Sequence, residues 1–524
     1  MTAPDFSAGT AEAAAIARAW TDAGGPGGAI VLFDGDGPRG AASGGLASIE
    51  HGVSFTPDTP SRWASISKQF AAATLLLSGF DLETPLGKLV ADLPDAIAAV
   101  PLGRALDMTG AIPDLMETLV LLGVPYTTSL SPAQLFSLIK RLPGTGGPPG
   151  REMAYSNTGW RLTEAIFGTP APDAFDDPAK PRAAKRSHRS DPNYEAALRR
   201  LVLSPLGLDA VAFPVDETAV VPKLATPYWR HAGGWRRGRY GLNYSPSGGL
   251  AGSATDLARW GAALLGGRGP MDGMLARLSA LRLFENGTPS FYRLGLSTLM
   301  LGDLFLAGHG GSLPGNKTHI LMAPALGCGV ALISNQEETD ALPLALRVMA
   351  ALTGRSLPRP ASLPPGLYAS ADSEAWAEVE GETITFMGVT DRLYAAEDGG
   401  ARTLPAYLEA SLRPTADGAL EGIVGGVRHR LLPVPKDTAL DPALVGGWHN
   451  RAFGVSLEVR APGVAEFPGI FPRDVSTLLP LPGGRAIGQR QHGPWGSRPL
   501  LWRQPDDTLR LVAHRSRVLT FERA

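Results

Sequence analysis

Two residues near the start of the chain, Ser65 and Lys68, have the types and the spacing that nucleophilic catalysis needs. They open an apolar stretch rich in Ala and Leu that runs to Leu77, and residues three apart on a helix lie on the same face. The first turn of a helix also has unpaired N–H groups and a positive dipole end, which favour a developing anion. We therefore predict that Ser65 is an acyl-transferring nucleophile and Lys68 its partner.

A second Ser-x-x-Lys, formed by Ser137 and Lys140, shows that the spacing alone is a weak signal. Ser137 lies inside an amphipathic run rather than at its start, so the dipole argument does not apply to it. A serine at a helix start is usually just a cap. The interpretation of Ser65 therefore depends on further residues.

The next candidates are Tyr155 and Asn157, which form the Tyr-x-Asn motif that occurs once in the chain. A tyrosine held near a lysine ammonium can be driven toward phenolate and act as a general base, so we predict that role for Tyr155. The Asn157 amide can orient Lys68 and bind a substrate amide. Taken alone, Tyr155 is as easily explained as a half-buried core aromatic.

A third element follows a predicted strand and precedes another: His309, Gly310, Gly311 and Ser312. The glycines let a substrate backbone approach the strand edge. A free N–H after them, together with that of Ser65, can form an oxyanion hole. A similar run at His231 lies in a basic, aromatic stretch that we interpret as a turn without flanking strands, so we prefer His309.

Composition narrows the function classes. The 524 residues predict two to four domains, and 44% apolar with 19% charged residues is typical of a globular enzyme. With a net charge of −2 and no basic stripe, we expect neither nucleic acid nor a membrane as partner. The single Cys328 lies in a predicted core strand. No ligand cluster or phosphate-binding loop is evident, so we expect no metal and no cofactor.

The N-terminus has neither a basic region nor a long apolar segment, so we expect no secretory signal and a cytoplasmic location. A helix is predicted at 11–21, a strand at 29–33 with a turn after it, and strands between 290 and 335 before a helix at 342–352. Residues 170–192 mix charges and prolines without periodicity and are interpreted as an exposed insertion.

The pattern changes after a proline-rich linker at 354–365. Two stretches of short alternating strands follow, at 366–434 and 440–524, and they open similarly. We predict two small antiparallel β domains, as eight-stranded barrels or sandwiches. Residues 1–355 are predicted to form an α/β (α+β) catalytic domain in which an antiparallel sheet meets a helical subdomain at the site.

The serial order of the three motifs resembles that of the class C β-lactamase and DD-peptidase superfamily, the penicillin-recognising serine hydrolases. The resemblance covers residues 1 to about 355, and phrases at 106–112, 204–208 and 248–257 agree with it. His-x-Gly in place of Lys-Thr-Gly is typical of its esterase and D-aminopeptidase members. With two β domains following, the chain is similar to the bacterial D-aminopeptidase family, whose terminal domains are lipocalin-like barrels.

This resemblance implies a substrate class and a further site residue. In that family a loop of the last domain reaches the active site and supplies a carboxylate for the free amine of the substrate. The matching stretch here is 467–476, which makes Asp474 the candidate, although Arg473 beside it can neutralise that charge. The expected substrate is a small D-amino-acid peptide, amide or ester, and a homodimer is possible.

Two alternatives stay open from the sequence. One is a carboxylesterase or a hydrolase like the β-lactamases and DD-peptidases. The other is a catalytically inactive binding protein, against which the intact motifs argue.

Overall fold

A computed structural model of the chain describes residues 3–168, 191, 193–242, 244–405, 407–469 and 474–524. Apart from Asp191, the insertion predicted at 170–192 lies outside the described residues, and so does Arg473. The α-helices in the described part are α1 (Phe6–Asp22), α2 (Ser67–Leu77), α3 (Asp95–Ala98), α4 (Leu102–Leu106), α5 (Leu115–Leu121), α6 (Pro132–Lys140), α7 (Thr158–Phe167), α8 (Tyr194–Leu198), α9 (Ala254–Gly266), α10 (Met274–Leu278) and α11 (Ala341–Thr353).

The first part of the chain also carries the strands β1 (Gly28–Asp34), β2 (Gly37–Gly44), β3 (Leu46–Ser48), β4 (Val53–Ser54), β5 (Ser61–Arg62), β6 (Tyr228–His231), β7 (Gly234–Arg237), β8 (Ala251–Gly252), β9 (Ser297–Leu301), β10 (Leu304–Leu313), β11 (Asn316–Ala323) and β12 (Cys328–Ser334). Six of them form an antiparallel sheet in the order β2-β1-β12-β11-β10-β9. The chain therefore leaves the sheet after β2 and returns at β9, and the helical region lies between.

The sheet is buried on both faces, which explains its nearly continuous apolar strands. In β1, Ile30 and Leu32 pack in the core cluster that contains residues of α1 and α11. The alternate residues Val31 and Phe33 pack in the large cluster that contains residues of α9 and the helical region. Cys328 is buried at the start of β12, as expected of a small hydrophobic residue.

Two barrels follow the linker, as the sequence predicts. The first closes through β13 (Gly366–Ala369), β14 (Trp376–Glu380), β15 (Thr383–Phe386), β16 (Val389–Ala395), β17 (Ala401–Thr403), β18 (Ala410–Pro414), β19 (Leu420–Val424) and β20 (Val427–Pro433).

The second barrel contains β21 (Gly446–Asn450), β22 (Val455–Arg460), β23 (Val464–Glu466), β24 (Val475–Leu481), β25 (Arg485–His492), β26 (Trp495–Ser497), β27 (Leu500–Arg503), β28 (Leu509–Ala513) and β29 (Ser516–Arg523). Pairing of β24 with β25 closes a ring of eight strands, and β26 pairs beside it with β25. The predicted fold class, a β-lactamase-like domain followed by two antiparallel barrels, is confirmed.

Both barrels bind to the catalytic domain at the segment that leads to Tyr155. The Met153 N–H donates to the Gly425 carbonyl of the first barrel at 2.9 Å. From the second barrel, Arg517 forms a two-bond ion pair with Glu152 at 2.6 and 2.8 Å. The barrels are thus positioned against the same stretch of chain that carries a candidate catalytic residue.

One local prediction was wrong. His231 ends strand β6 of the hairpin β6–β7 rather than lying in a turn without strands. Ala232 and Gly233 both have positive φ, which is the geometry of a tight hairpin turn and was missed in the sequence. His231 itself is exposed. None of the described helices is long and apolar enough to cross a membrane.

Candidate active site

Ser65 lies in a 3-10 turn, Ala64–Ile66, that leads directly into α2. Ala64 has a φ of +50°, a strained value for a residue with a side chain. Strand β10 approaches this turn so closely that a Cβ on Gly311 would lie 2.1 Å from the Trp63 carbonyl oxygen. Only glycine allows that contact, so Gly311 permits the strand edge to sit beside the nucleophile.

Helix α2 is held rigidly behind Ser65. Every residue from Ser67 to Leu75 is buried. The Phe70 ring stacks between Trp63 and Trp260, with centroids 5.4 and 4.0 Å apart. Because this packing fixes the first turn of α2, the Lys68 side chain has a defined direction toward Ser65.

Lys68 is fully buried and its Nζ makes three hydrogen bonds. Nζ lies 3.0 Å from Ser65 Oγ and donates to Asn157 Oδ1 at 2.9 Å and to the Ser247 carbonyl at 2.6 Å, so in the neutral amine the two N–H groups serve the two carbonyls and the lone pair faces the Ser65 hydroxyl. Burial lowers the pKa of Lys68 well below its ordinary value, while the Asp114 carboxylate opposes that shift and Arg515 adds to it. A buried neutral amine at hydrogen-bond distance from a serine hydroxyl can accept its proton.

Asp114 fixes the orientation of Asn157. Its Oδ2 accepts hydrogen bonds from the Asn157 backbone N–H at 2.6 Å and from Nδ2 at 2.9 Å. Its Oδ1 accepts from the Glu117 N–H at 2.9 Å and so caps α5. With Nδ2 committed to Asp114, the Asn157 amide must turn Oδ1 toward Lys68. Asp114 carried no motif signal in the sequence.

Tyr155 is 2% exposed and packs edge-on against Tyr292 and Tyr407. Burial raises the pKa of Tyr155 well above its ordinary value and Tyr407 contributes to the rise, while the neighbouring Ser65 hydroxyl lowers it; the Tyr155 hydroxyl itself has no hydrogen-bond partner among the described residues. These directions describe a neutral phenol beside Ser65, whereas the sequence analysis predicted a phenolate base. The geometry and charge environment favour Lys68 as the base and Tyr155 as a proton donor.

His309 supports the site from behind. It is 1% exposed and is not among the residues that line the cavity described below. Its Nδ1–H donates to the Gly310 carbonyl, and since a carbonyl can only accept, its Nε2 must accept from the Tyr292 hydroxyl at 2.8 Å. Burial lowers the pKa of His309 to about 3, so the ring is neutral. Ser312, farther along β10, does line the cavity.

The cavity in front of Ser65 has a volume of about 410 Å³ and is roofed by both barrels. The first barrel contributes Met387, Gly388, Val389, Thr390 and Tyr407. The second contributes residues that include His492, Pro494, Trp495, Arg498, Ala513 and Arg515. The sequence analysis expected a contribution from the last domain alone, so the first barrel was missed.

The structure does not bring Asp474 to this cavity. The residue is buried, it is absent from the cavity lining, and its Oδ2 lies 3.0 Å from Arg490 Nη1 in an ion pair. Residues 470–473 of the stretch 467–476 lie outside the described part. The segment of the last barrel that meets the nucleophile region is instead the turn between β28 and β29, which carries Arg515.

Glu117, on α5, is a carboxylate that lines the cavity and that the sequence analysis missed. Its Oε2 accepts from the Arg515 backbone N–H at 2.5 Å. Burial raises the pKa of Glu117 to about 7; the Arg515 charge lowers it and the Asp114 charge raises it. No donor to its Oε1 is recorded in the part of the chain that the structure describes, so this oxygen can accept from a ligand.

The structure also bears on the second Ser-x-x-Lys motif and on metal binding. Ser137 lies within α6, whose cap is Ser131, so the second Ser-x-x-Lys has no place at a helix start. Among residues 3–168, 191, 193–242, 244–405, 407–469 and 474–524, no cluster of His, Cys, Asp or Glu could hold a metal ion.

Comparison with known proteins gives the family. A model of the Beta-lactamase family matches residues 13–353. A D-aminopeptidase of Cereibacter sphaeroides is 26% identical over 424 residues, which are 76% of this chain and 74% of that protein. A D-aminopeptidase of Gluconobacter oxydans is 25% identical over 413 residues, 75% of this chain and 73% of that one.

Solved structures show the same fold. The octameric penicillin-binding protein homologue of Pyrococcus abyssi matches with a TM-score of 0.52 and 16% identity, covering 95% of each chain. The D-amino acid amidase of Ochrobactrum anthropi matches with a TM-score of 0.52 and 22% identity, over 66% of this chain and 98% of that one. Since the family model spans more than half of the sequence, the chain belongs to the Beta-lactamase family, as a serine hydrolase.

Proposed function

We propose that this protein is a D-aminopeptidase that releases an N-terminal D-residue such as D-Ala from short peptides, amides or esters through an acyl-enzyme. The observation that carries the proposal is a carboxylate, Glu117, in the same cavity as the Ser65–Lys68 pair. A free ammonium group bound by Glu117 would place the first carbonyl of a peptide beside Ser65. The names of the relatives, D-aminopeptidase and D-amino acid amidase, support the D configuration.

Glu117 takes over the role that the sequence analysis gave to Asp474. Asp474 is occupied by Arg490, whereas Glu117 has an oxygen without a recorded donor in the described structure. A charge-assisted hydrogen bond from an ammonium to a half-buried carboxylate is among the strong ones. Glu117 therefore distinguishes an aminopeptidase from an esterase, which has no use for a carboxylate at this position.

Acylation follows from the positions of three groups. Ser65 Oγ attacks the substrate carbonyl carbon as its proton moves to Lys68 Nζ, 3.0 Å away. The N–H groups of Ser65 and Ser312 stabilise the oxyanion. As the C–N bond breaks, the leaving nitrogen takes the Tyr155 hydroxyl proton, and the proton held by Lys68 restores the phenol.

Deacylation uses water as the nucleophile and Lys68 again as the base. A water molecule attacks the acyl carbon and gives a proton to neutral Lys68. The ester bond to Ser65 Oγ then breaks, and Oγ recovers that proton from Lys68. The D-amino acid leaves as the free acid. In this scheme Asn157 holds Lys68 in place, and the hydrogen-bonded pair of neutral His309 and Tyr292 holds the Tyr155 side chain in position.

The test compares D-alanine p-nitroanilide with its L enantiomer and with its N-acetyl derivative, using Ser65→Ala as the blank. We expect turnover of the D substrate, little turnover of the other two, and none by Ser65→Ala. Turnover that ignores N-acetylation would favour the esterase alternative. A protein that is folded, is not labelled by a fluorophosphonate probe and hydrolyses nothing would favour the inactive binding protein.

A further inference from the structure

Among the residues that the structure describes, three arginines line the active-site cavity, and one of them has no ion-pair partner there. Arg161 pairs with Glu164 at 3.8 Å, and Arg498 pairs with Glu378. Arg515 forms no ion pair with any residue that the structure describes, and its buried Nε has no hydrogen-bond partner there. A partly buried guanidinium without an anion is a candidate for binding one from a ligand.

The backbone of Arg515 is held at the site by two contacts from the catalytic domain. The Asp114 N–H donates to the Arg515 carbonyl at 2.7 Å. The Arg515 N–H donates to Glu117 Oε2 at 2.5 Å. Next to it, Ser516 Oγ shares a hydrogen bond of 2.8 Å with Thr118 Oγ1. The turn is therefore docked on α5, and the Arg515 side chain is directed by a fixed main chain.

The guanidinium lies over the face of Tyr155, with Cζ 5.0 Å from the ring centroid, and 5.5 Å from the centroid of Tyr407. Stacking of this kind leaves the N–H groups in the plane of the guanidinium available for a planar anion. A carboxylate can therefore be bound through two parallel hydrogen bonds at a position adjacent to the proposed proton donor.

The chemistry of the proposed reaction identifies that carboxylate. If Tyr155 protonates the leaving nitrogen, this nitrogen lies at the Tyr155 hydroxyl. In a dipeptide the carboxylate carbon of the leaving residue is two bonds beyond that nitrogen, and the whole dipeptide spans at most about 7 Å. The Arg515 backbone N–H is hydrogen bonded to Glu117, both side chains line the cavity, and the Arg515 charge acts on the Glu117 carboxylate, so the two opposite charges face the same cavity as the ends of a zwitterion would.

We infer that Arg515 binds the free α-carboxylate of the leaving residue, which makes the preferred substrate a dipeptide with an N-terminal D-residue. This inference rests on the proposed function and adds a second charge requirement to it. An amide or a longer peptide would place a neutral group against Arg515 and would bind less well.

The experiment measures kcat/KM for three substrates: D-alanyl-glycine, D-alanyl-glycinamide and D-alanine p-nitroanilide. We expect the wild-type enzyme to prefer the free acid over the glycinamide by about 10- to 150-fold, the range of a hydrogen bond to a charged group. In Arg515→Gln this ratio should fall to near one; because the acid and the glycinamide share any change in the basicity of Lys68, the ratio reports on the carboxylate contact alone. Arg498→Gln, which removes a cavity arginine already paired with Glu378, should keep the wild-type ratio.

Several outcomes would overturn the inference. A wild-type ratio near one does so, and so does an equal loss for all three substrates in Arg515→Gln, which would mean that Arg515 only positions Tyr155. If circular dichroism shows that Arg515→Gln is unfolded, calorimetry measures the binding of D-alanyl-glycine and D-alanyl-glycinamide to Ser65→Ala instead. Tighter binding of the acid supports the inference, and equal binding of the two refutes it. D-specific turnover of the p-nitroanilide without an acid preference leaves the proposed function intact, whereas no turnover of any substrate refutes both.

Discussion

Glu117→Gln is the substitution that tests the amine-binding site most directly. The two side chains have nearly the same volume, and the Gln oxygen can still accept the hydrogen bond from the Arg515 N–H. What is lost is the negative charge that faces the substrate ammonium. Hydrogen bonds to charged groups contribute about 1.5–3 kcal/mol. At 1.4 kcal/mol for each factor of ten, kcat/KM for D-alanine p-nitroanilide should fall by about 10- to 150-fold.

The stability of the folded protein should be higher in Glu117→Gln than in the wild type, or unchanged. Burial raises the pKa of Glu117 to about 7, so at pH 8 the folded protein holds the ionised form at a cost that the unfolded chain does not have. A neutral Gln removes that cost. The melting temperature of Glu117→Gln at pH 8 is therefore expected to equal or exceed that of the wild type, and the activity loss cannot be attributed to unfolding.

The assay pairs each kinetic measurement with N-acetyl-D-alanine p-nitroanilide, which has no ammonium group. The residual rate on this substrate should be the same in wild type and variant, because neither can use the charge. The reasoning is refuted if Glu117→Gln retains wild-type kcat/KM on the free amine. It is also refuted if both substrates lose activity equally, since that pattern would mark Glu117 as a support for the catalytic groups.

Three further predictions concern the base, the pH profile and Asp474. Lys68→Met should lower kcat by about 10²- to 10⁴-fold, the range of general base catalysis, in a folded protein; near-normal kcat would exclude Lys68 as the base. With a pKa of about 7, Glu117 is protonated at lower pH, so kcat/KM for free-amine substrates should fall about tenfold per unit below pH 7, and this limb should be absent in Glu117→Gln. Asp474→Asn leaves Arg490 as a buried unpaired charge and should cost about 3–5 kcal/mol in chemical unfolding, with the wild-type ratio of free-amine to N-acetyl turnover retained; a changed ratio would return Asp474 to the substrate site.

The residues proposed to be catalytic could be selected from the sequence because each carries a local signal. Ser65 and Lys68 share one helical turn, and Tyr155 and Asn157 lie on one short segment, so their relative positions are set within a few residues. Ser312 follows Gly311, whose close approach to the Trp63 carbonyl brings this end of β10 beside the turn that carries Ser65. The serial order of the motifs, which resembles that of the family, indicated that the three segments form one site, because no local pattern predicts that they lie close together.

The two residues proposed to bind the charges of the substrate could not be found in this way. Glu117 and Arg515 are separated by 398 positions, and neither belongs to a motif. They meet because a two-residue barrel turn docks on α5, and the docking surface is formed by side chains from distant parts of the chain. Ser247 contributes to the Lys68 site through its backbone carbonyl, which no residue pattern reveals.

Asp474 illustrates how a family expectation can point to the right domain and miss the residue. The last domain does reach the cavity, but through the turn at Arg515 and the segment after His492. Asp474 sits beside Arg490, whose guanidinium also donates to the Val120 carbonyl of α5 at 3.0 Å. A carboxylate needed to balance a buried arginine at a domain junction is not free for a ligand.

The second barrel also acts on the chemistry of the first domain. The Arg515 charge contributes to the lowered pKa of Lys68, and the Arg515 carbonyl is bonded to Asp114, the residue that orients Asn157 toward Lys68. Removal of the barrel would therefore do more than open the cavity to larger substrates. It would remove one of the charges that lower the pKa of Lys68 and would loosen Asp114, the residue that orients Asn157 toward Lys68. In the proposed mechanism the barrel turn and the nucleophile therefore form one functional unit, because the arginine proposed to bind the substrate carboxylate also lowers the pKa of Lys68.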